Sequence, residues 1–191
     1  MAKTCVIVGG PNGSGKTTFV QSFLREQAIE YVSADAIAAS LCPERPASVA
    51  VEAGRRFLRR CDELLKEGAP FILESTLSGR PLQSFYRELR DAKYHITTHF
   101  IFLDTPQQNV ERVRIRVAKG GHDVPEQDIR RRVQRSISNF WNLYRLASHE
   151  WTLVYNAERY FQVVATGEFD LMRIKDEAGF RRFEMLRKGE S

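Results

Sequence analysis

Short apolar runs alternate with segments of helical periodicity along the chain. Thr4–Val8, Tyr31–Ser33, Phe71–Leu73, Ile96–Leu103 and Trp151–Tyr155 read as strands. Val49, Ala53, Phe57, Cys61 and Leu64/Leu65 fall on one face of a helix that Gly68 closes. Ile129, Val133, Ile137, Phe140, Tyr144 and Ala147 make a second stripe at steps of 4, 4, 3, 4 and 3. Leu82–Arg90 and Val110–Val117 predict shorter helices, each preceded by a proline. Strands that alternate with helices predict an α/β architecture of three layers, a mostly parallel sheet flanked by helices. The tail breaks this rhythm. Tyr160–Ala165 and Phe169–Ile174 predict a C-terminal β-hairpin that turns at Thr166-Gly167-Glu168, followed by a short helix to Lys188. Internal repeats, low-complexity tracts and linkers are absent from the sequence. With about 150 residues to a domain, residues 1–191 are expected to form one domain, the hairpin and helix occupying about 158–189.

Composition removes several classes. Hydrophobic residues make up 42% and charged residues 28%, enough apolar material for a sizeable core. No apolar run approaches the ~18 residues of a membrane helix. The N-terminal apolar run is too short for a secretory leader and passes directly into a glycine loop. Three cysteines (Cys5, Cys42 and Cys61) lack metal-type spacing and are odd in number, so Cys5 and Cys61 read as small buried hydrophobes. A cytoplasmic protein with no membrane partner is expected. Lys+Arg number 29 against 24 Asp+Glu, a net charge of +5, and seven of the 29 are lysine, which leaves 22 arginines. Arginine presents a planar fork suited to phosphate, so phosphorylated ligands are expected, either nucleic acid or small molecules.

The first chemistry lies directly after the first strand. Gly10-Pro11-Asn12-Gly13-Ser14-Gly15-Lys16-Thr17 matches G-x-x-x-x-G-K-[ST], with an apolar strand before it and a helix beginning at Thr18. Glycines let backbone N–H groups converge on phosphate, and the helix N-terminus adds partial positive charge. Lys16 would reach the β- and γ-phosphates, and Thr17 would ligate Mg²⁺. The motif predicts ATP or GTP on residues Gly10 to Thr18, within a P-loop NTPase fold.

Further chemistry gathers where strands end, the usual ligand edge of such sheets. Asp35 follows the second strand. It can accept a proton from a substrate hydroxyl attacking the γ-phosphorus, or it can simply cap the helix Ala36–Ser40. The third strand runs into Glu74-Ser75-Thr76, with Arg80 beyond. Glu74 can accept from substrate hydroxyls or from water on Mg²⁺, and Thr76 and Arg80 can donate to a polar or anionic substrate. Alternatively, Thr76 or Ser78 starts the next helix and Glu74 is a solvated strand end. Leu77-Ser-Gly-Arg80 resembles the transporter ATPase signature only superficially.

Arginines dominate the next segment. Arg112, Arg114 and Arg116 precede Lys119-Gly120-Gly121-His122-Asp-Val-Pro125, and Arg130, Arg131, Arg132 and Arg135 follow. Two helices around a flexible glycine break predict a lid at about 112–135, whose arginines would neutralise phosphate charge. Arg112 and Arg116 share one face, and so do Arg131 and Arg135. His122 either braces this loop or touches substrate. Between Arg112 and Arg145 there are nine basic residues and three acidic ones, so the excess charge belongs to this lid. The arginines are not interleaved with aromatics as a nucleic-acid stacking surface requires, so a nucleic-acid-binding NTPase is the weaker alternative.

The loop GGPNGSGKTT, Ala34-Asp35, Leu73-Glu-Ser-Thr76 and the block RVAKGGHDVPEQDIRRRVQRS (116–136) together resemble the zeta-toxin-like P-loop kinases, in particular the short stand-alone bacterial members. The resemblance covers residues 4 to about 155, and its most specific part is the GGH-x-VP block. It implies Asp35 as catalytic base, Glu74 and Thr76 on a sugar substrate, and Arg116 with one of Arg131/Arg132 at the transferred phosphate. It also implies a UDP-activated amino sugar such as UDP-N-acetylglucosamine as acceptor, and an antitoxin partner over the nucleotide site. A nucleoside, nucleotide or other metabolite kinase on the same scaffold is the second reading. Val154-Tyr-Asn156-Ala-Glu stands where short relatives have Tyr-Asp-Asn-Ser, which changes a base-side or structural contact there.

Overall fold

The first strand shows why the sheet is covered on both sides. Cys5 and Ile7 enter one core layer while Val6 and Val8 enter another, as alternation on a central parallel strand requires. The computed structural model describes residues 3–23, 29–79, 81–121, 123–157 and 160–190.

The chain runs β1 (Thr4–Gly9), α1 (Lys16–Phe23), β2 (Glu30–Ser33), α2 (Ala34–Leu41), a 3₁₀ turn (Pro46–Val49), α3 (Ala50–Glu67), β3 (Phe71–Ser75), α4 (Pro81–Asp91), β4 (His95–Phe102), α5 (Pro106–Ala118) and α6 (Glu126–Asn139). A π-helical turn (Phe140–Tyr144) and a short α7 (Arg145–Ala147) follow, then β5 (Glu150–Asn156), β6 (Phe161–Glu168), β7 (Leu171–Ile174) and α8 (Glu177–Lys188). The seven strands form one sheet in the order β2-β3-β1-β4-β5-β6-β7. Strands β1 to β5 pair in parallel, and β6 and β7 extend the sheet antiparallel. Successive connections leave β1 first toward β3 and β2, then toward β4 and β5. The crevice beyond its carboxyl end is therefore a topological switch point.

Local signals explain the element ends. Gly68 caps α3 in the left-handed region at φ 67°. Thr105 and Gln108 form a reciprocal capping box at the start of α5. The stripe from Ile129 onward is helical throughout, but it passes through the π turn rather than a single α-helix.

Most of the core lies on the face covered by α3, α4, α6 and α8. Phe100 and Phe140 stack there with ring centroids 4.4 Å apart, and Phe183 of α8 packs edge-on against Phe102 at 5.3 Å. Phe183 is fully buried, so the tail shares the core of the strands. Truncating it to Ala would remove about 3–5 kcal/mol. The smaller layer holds Phe19 and Val20 of α1 against Val6, Val8, Ile72, Ile101 and Val154.

One expectation and two of the alternatives require correction. The hairpin turns at Phe169-Asp170 rather than at 166–168, because Thr166, Gly167 and Glu168 stay paired with β5 and β7. Gly167 is a packing glycine, since a Cβ there would lie 2.4 Å from the Trp151 ring. The second correction concerns the cap of α2. Ser33, not Asp35, is the N-cap, its hydroxyl accepting from the Ala36 amide. Likewise α4 starts at Pro81, beyond Thr76 and Ser78. Among the described residues no helix is long and apolar enough to cross a membrane.

Candidate active site

The glycine loop between β1 and α1 is braced from outside. Gly13 and Gly15 adopt φ of 78° and 97°, which glycine tolerates without strain. A Cβ on Gly15 would sit 2.3 Å from Asn156 Nδ2, and one on Gly13 would sit 2.6 Å from the Asn109 carbonyl. Those neighbours hold the loop open. Asn109 Nδ2 donates to the Asn12 carbonyl at 2.8 Å, and Asn156 Nδ2 donates to the Ser14 carbonyl at 2.8 Å. Both asparagines are buried, where an amide is retained only with partners.

Lys16 opens α1 and points back into the loop, its Nζ donating to the Pro11 carbonyl at 3.0 Å. Burial lowers its pKa, against the opposing pull of Glu74 and Asp35. A desolvated ammonium beside a ring of backbone amides is suited to phosphate oxygens. The loop therefore fits a nucleoside triphosphate.

The neighbouring residue meets the third strand. In register, Glu74 lies between Val8 of β1 and Ser33 of β2. Its Oε2 accepts from Thr17 Oγ1 at 2.9 Å and from the Tyr31 hydroxyl at 2.6 Å. Burial first, and then the Glu74 charge, pushes the Tyr31 phenol upward, so it remains a donor. A hydroxyl and a carboxylate side by side at the phosphate loop are hard oxygen donors of the kind Mg²⁺ prefers. Thr17 and Glu74 fit that ion and would hold it.

Two cavities meet at this point. The first, of about 660 Å³, runs over the loop, with Thr18, Arg112, Arg116, Tyr160 and Phe161 on its walls. The second, of about 600 Å³, opens between α2, α3 and the end of β3, with Ser33, Thr76, Ser78 and Arg132 on its walls. Asn12, Lys16, Asp35 and Glu74 line both. Asp35 is exposed in the first turn of α2 and makes no side-chain hydrogen bond or ion pair among the described residues. Since Ser33 does the capping, the Asp35 carboxylate is available to a ligand.

The loop after β3 is held tightly. Thr76 Oγ1 and Ser78 Oγ share a hydrogen bond of 2.8 Å. Leu77 is fully buried at φ 56°, a conformation sustained only by its surroundings. Ser136 donates to the Thr76 carbonyl, and Asn139 Nδ2 donates to the Leu77 carbonyl at 2.8 Å. Helix α6 thus positions the wall that carries Thr76.

The arginines divide. Arg112 and Arg116 line the first cavity, and Arg132 lines the second while donating to Asn12 Oδ1 at 3.3 Å. Arg131 is turned away, paired with Asp128 at 2.7 Å and outside both cavities. Arg114 and Arg130 are held by Glu126 at 2.6 and 2.9 Å. The α5–α6 segment thus neutralises part of its own charge, which a count of like charges does not anticipate. Arg80 and His122 lie outside the described residues.

Sequence reasoning missed Tyr31 and Asn109, and read Asn156 only as part of an altered strand end. A tyrosine in an edge strand and an asparagine inside a helix carry no motif. Their roles come from strand order, which sets β2 beside β3 and α5 against the loop.

A mostly parallel sheet, a glycine loop at its switch point and a lysine-threonine pair beneath it define a P-loop nucleotide-binding fold, with arginine-bearing helices at the site. The chain belongs to the AAA domain family, whose model matches residues 5–137. It is similar to an uncharacterized protein of Haemophilus influenzae, 27% identical over 132 residues that cover 69% of this chain and 94% of that one. In structure it is similar to a chain of the AvrRxo1-ORF1:-ORF2 complex solved with ATP, with a TM-score of 0.77 and 14% identity over 95% of this chain. It spans 63% of that chain's length. It is also similar to a structure from the PezAT chromosomal toxin-antitoxin system of Streptococcus pneumoniae. There the TM-score is 0.70 and the identity 15%, covering all of this chain and 80% of that one. The zeta-toxin-like resemblance therefore holds at the level of the fold.

Proposed function

We propose that the protein is an ATP- or GTP-dependent small-molecule kinase that transfers the γ-phosphate to a hydroxyl of a UDP-activated amino sugar such as UDP-N-acetylglucosamine. The observation that carries the reading is the meeting of two cavities at Lys16, Asp35 and Glu74. The first is shaped over a phosphate loop, and the second is a separate space from which a hydroxyl can approach.

The nucleotide lies over Gly10 to Thr18, with Lys16 on its β- and γ-phosphate oxygens. Mg²⁺, when bound, supplies charge neutralisation for those oxygens on the Thr17–Glu74 side. The acceptor hydroxyl enters through the second cavity and gives its proton to Asp35 as its oxygen attacks the γ-phosphorus. The bond from phosphorus to the bridging oxygen breaks, and the nucleoside diphosphate leaves. Arg116 and Arg112 from one side, and Arg132 from the other, neutralise charge on the transferred group. Thr76 orients the acceptor, and Arg80, which lies outside the described residues, is assigned from sequence alone as a donor to it. Arg131 serves only if the lid closes further than it does here.

Toxin-antitoxin and two-protein complexes among the similar structures support an antitoxin-like protein partner, and its place over the nucleotide site is part of the proposal. Dependence on a nucleoside triphosphate supports a cytoplasmic setting. The test incubates the protein with Mg²⁺, γ-labelled ATP and UDP-N-acetylglucosamine. Label is expected on the sugar nucleotide. Label released only as inorganic phosphate would remove the kinase reading.

A further inference from the structure

The outer wall of the second cavity comes from one face of α3. Val51, Gly54, Arg55 and Leu58 lie at i, i+3, i+4 and i+7, and all four line the cavity. The core stripe of the same helix is Ala53, Phe57, Cys61 and Leu64, farther round its surface. Three features of the cavity-facing stripe are unexplained by folding. Val51 and Leu58 are large apolar residues left 72% and 40% exposed. Gly54 sits inside the helix, where glycine is about 1 kcal/mol less favourable than alanine. A Cβ at Gly54 would meet nothing within 4 Å, so packing does not require the glycine. It widens the cavity instead.

Of the four arginines of the helix, Arg55 and Arg59 carry no ion pair among the described residues, and of these two only Arg55 lines the cavity. Arg56 is paired with Glu52, and Arg60 is paired with Glu30, Glu63 and Glu67. The Asp35 and Glu74 carboxylates that line the same cavity are matched in number by Lys16 and Arg132. Arg55 therefore leaves the lining with one net positive charge, and that charge lies on α3, where it attracts the negative end of an acceptor.

Resting on the kinase reading above, we propose that Arg55 is a specificity residue that grips a phosphate group of the acceptor. The acceptor's uncharged body lies along Val51, Gly54 and Leu58, and its hydroxyl reaches Asp35. The second cavity is thus built for a phosphate-bearing hydroxyl compound rather than a neutral sugar. A guanidinium fork suits phosphate bidentately, whereas the apolar stripe beside it suits a ring or short chain.

The test uses the full chain saturated with Mg²⁺ and a non-hydrolysable ATP analogue. UDP-N-acetylglucosamine, N-acetylglucosamine 1-phosphate and N-acetylglucosamine are titrated by calorimetry into wild type, Arg55→Ala, Arg55→Lys and Gly54→Ala. Transfer kinetics with ATP are measured beside them, and affinity for the analogue serves as the folding control. Wild type is expected to prefer the phosphate-bearing probes. Arg55→Ala should weaken them about 10- to 100-fold, as loss of hydrogen bonds to a charged group does, and raise KM with little change in kcat. Arg55→Lys should recover part of that loss. Gly54→Ala should weaken binding while raising the melting temperature. The inference is overturned if wild type binds none of the phosphate-bearing probes, or binds the neutral sugar equally well. It is also overturned if Arg55→Ala keeps the wild-type affinity and KM. If probes bind through Arg55 but no phosphate is transferred, the kinase reading falls and the anion grip stands.

Discussion

Replacing Tyr31 with Phe deletes one hydroxyl and leaves the ring. That hydroxyl donates to Glu74 Oε2 at 2.6 Å, and Glu74 is only 7% exposed. A short O–H···O⁻ bond to a desolvated carboxylate contributes about 1.5–3 kcal/mol. Glu74 keeps its bond from Thr17, so the lower half of that range is expected, about 1.5–2 kcal/mol. For a chain of this size each kcal/mol moves Tm by about 2–4 °C, which predicts a fall of roughly 3–8 °C. The assay is a double-mutant cycle of Tyr31→Phe and Glu74→Gln followed by urea unfolding. A coupling of about 1–2 kcal/mol is expected. The same variant should lose affinity for Mg-ATP more than for metal-free ATP, because Glu74 stands on the Thr17 side of the loop. A coupling below about 0.5 kcal/mol, or equal losses with and without the metal, would refute this account of Glu74.

Gly15→Ala should abolish nucleotide binding, because φ of 97° and the Asn156 amide 2.3 Å from the new Cβ leave the loop no room; equilibrium dialysis with ATP checks it. Arg116→Ala, at the wall of the nucleotide cavity, should lower kcat by about 10²-fold or more with a smaller change in nucleotide affinity. The opposite split in single-turnover and binding data would make Arg116 a ground-state phosphate contact. Burial holds the His99 imidazole down at about 4, against a weaker upward pull from Glu150. The unfolded chain then takes up a proton that the folded one refuses. Stability from this group is therefore full above about pH 6.5 and lost as pH falls toward 4, at about 1.4 kcal/mol per unit. Urea titrations of wild type and His99→Leu should diverge over that window, and parallel curves would contradict the assignment.

The parts of the molecule legible in the sequence are those with a local cause. The strand-loop-helix around Lys16 needs only its own glycines, and the left-handed cap at Gly68 needs only its own φ. The position of Asp35 after a strand puts it near the loop, but its freedom from capping depends on Ser33 two residues earlier. Gly167 carries the signature of a turn residue, whereas its lack of a Cβ answers the Trp151 ring, and the hairpin turns two residues later at Phe169-Asp170. Tyr31, Asn109 and Asn156 act across 43, 97 and 142 residues of sequence. No periodicity encodes contacts of that range; they follow from strand order. The basic character of the α5–α6 segment is legible in sequence, but the rotation of α6 is not. Which of Arg131 and Arg132 faces the site depends on how Ile129, Val133 and Ile137 seat α6 on the sheet.

The claim that Asp35 accepts the proton of an attacking hydroxyl where the two cavities join is tested most directly in a mixture of candidate acceptors. Wild type and Asp35→Asn are each incubated with Mg²⁺, γ-labelled ATP and a metabolite extract, and the labelled products are resolved by mass. Wild type is expected to place label on one hydroxyl compound. Asp35→Asn should bind ATP normally yet form that product at least about 10²-fold more slowly. Equal rates for the two proteins, or no labelled compound with wild type, would contradict the account.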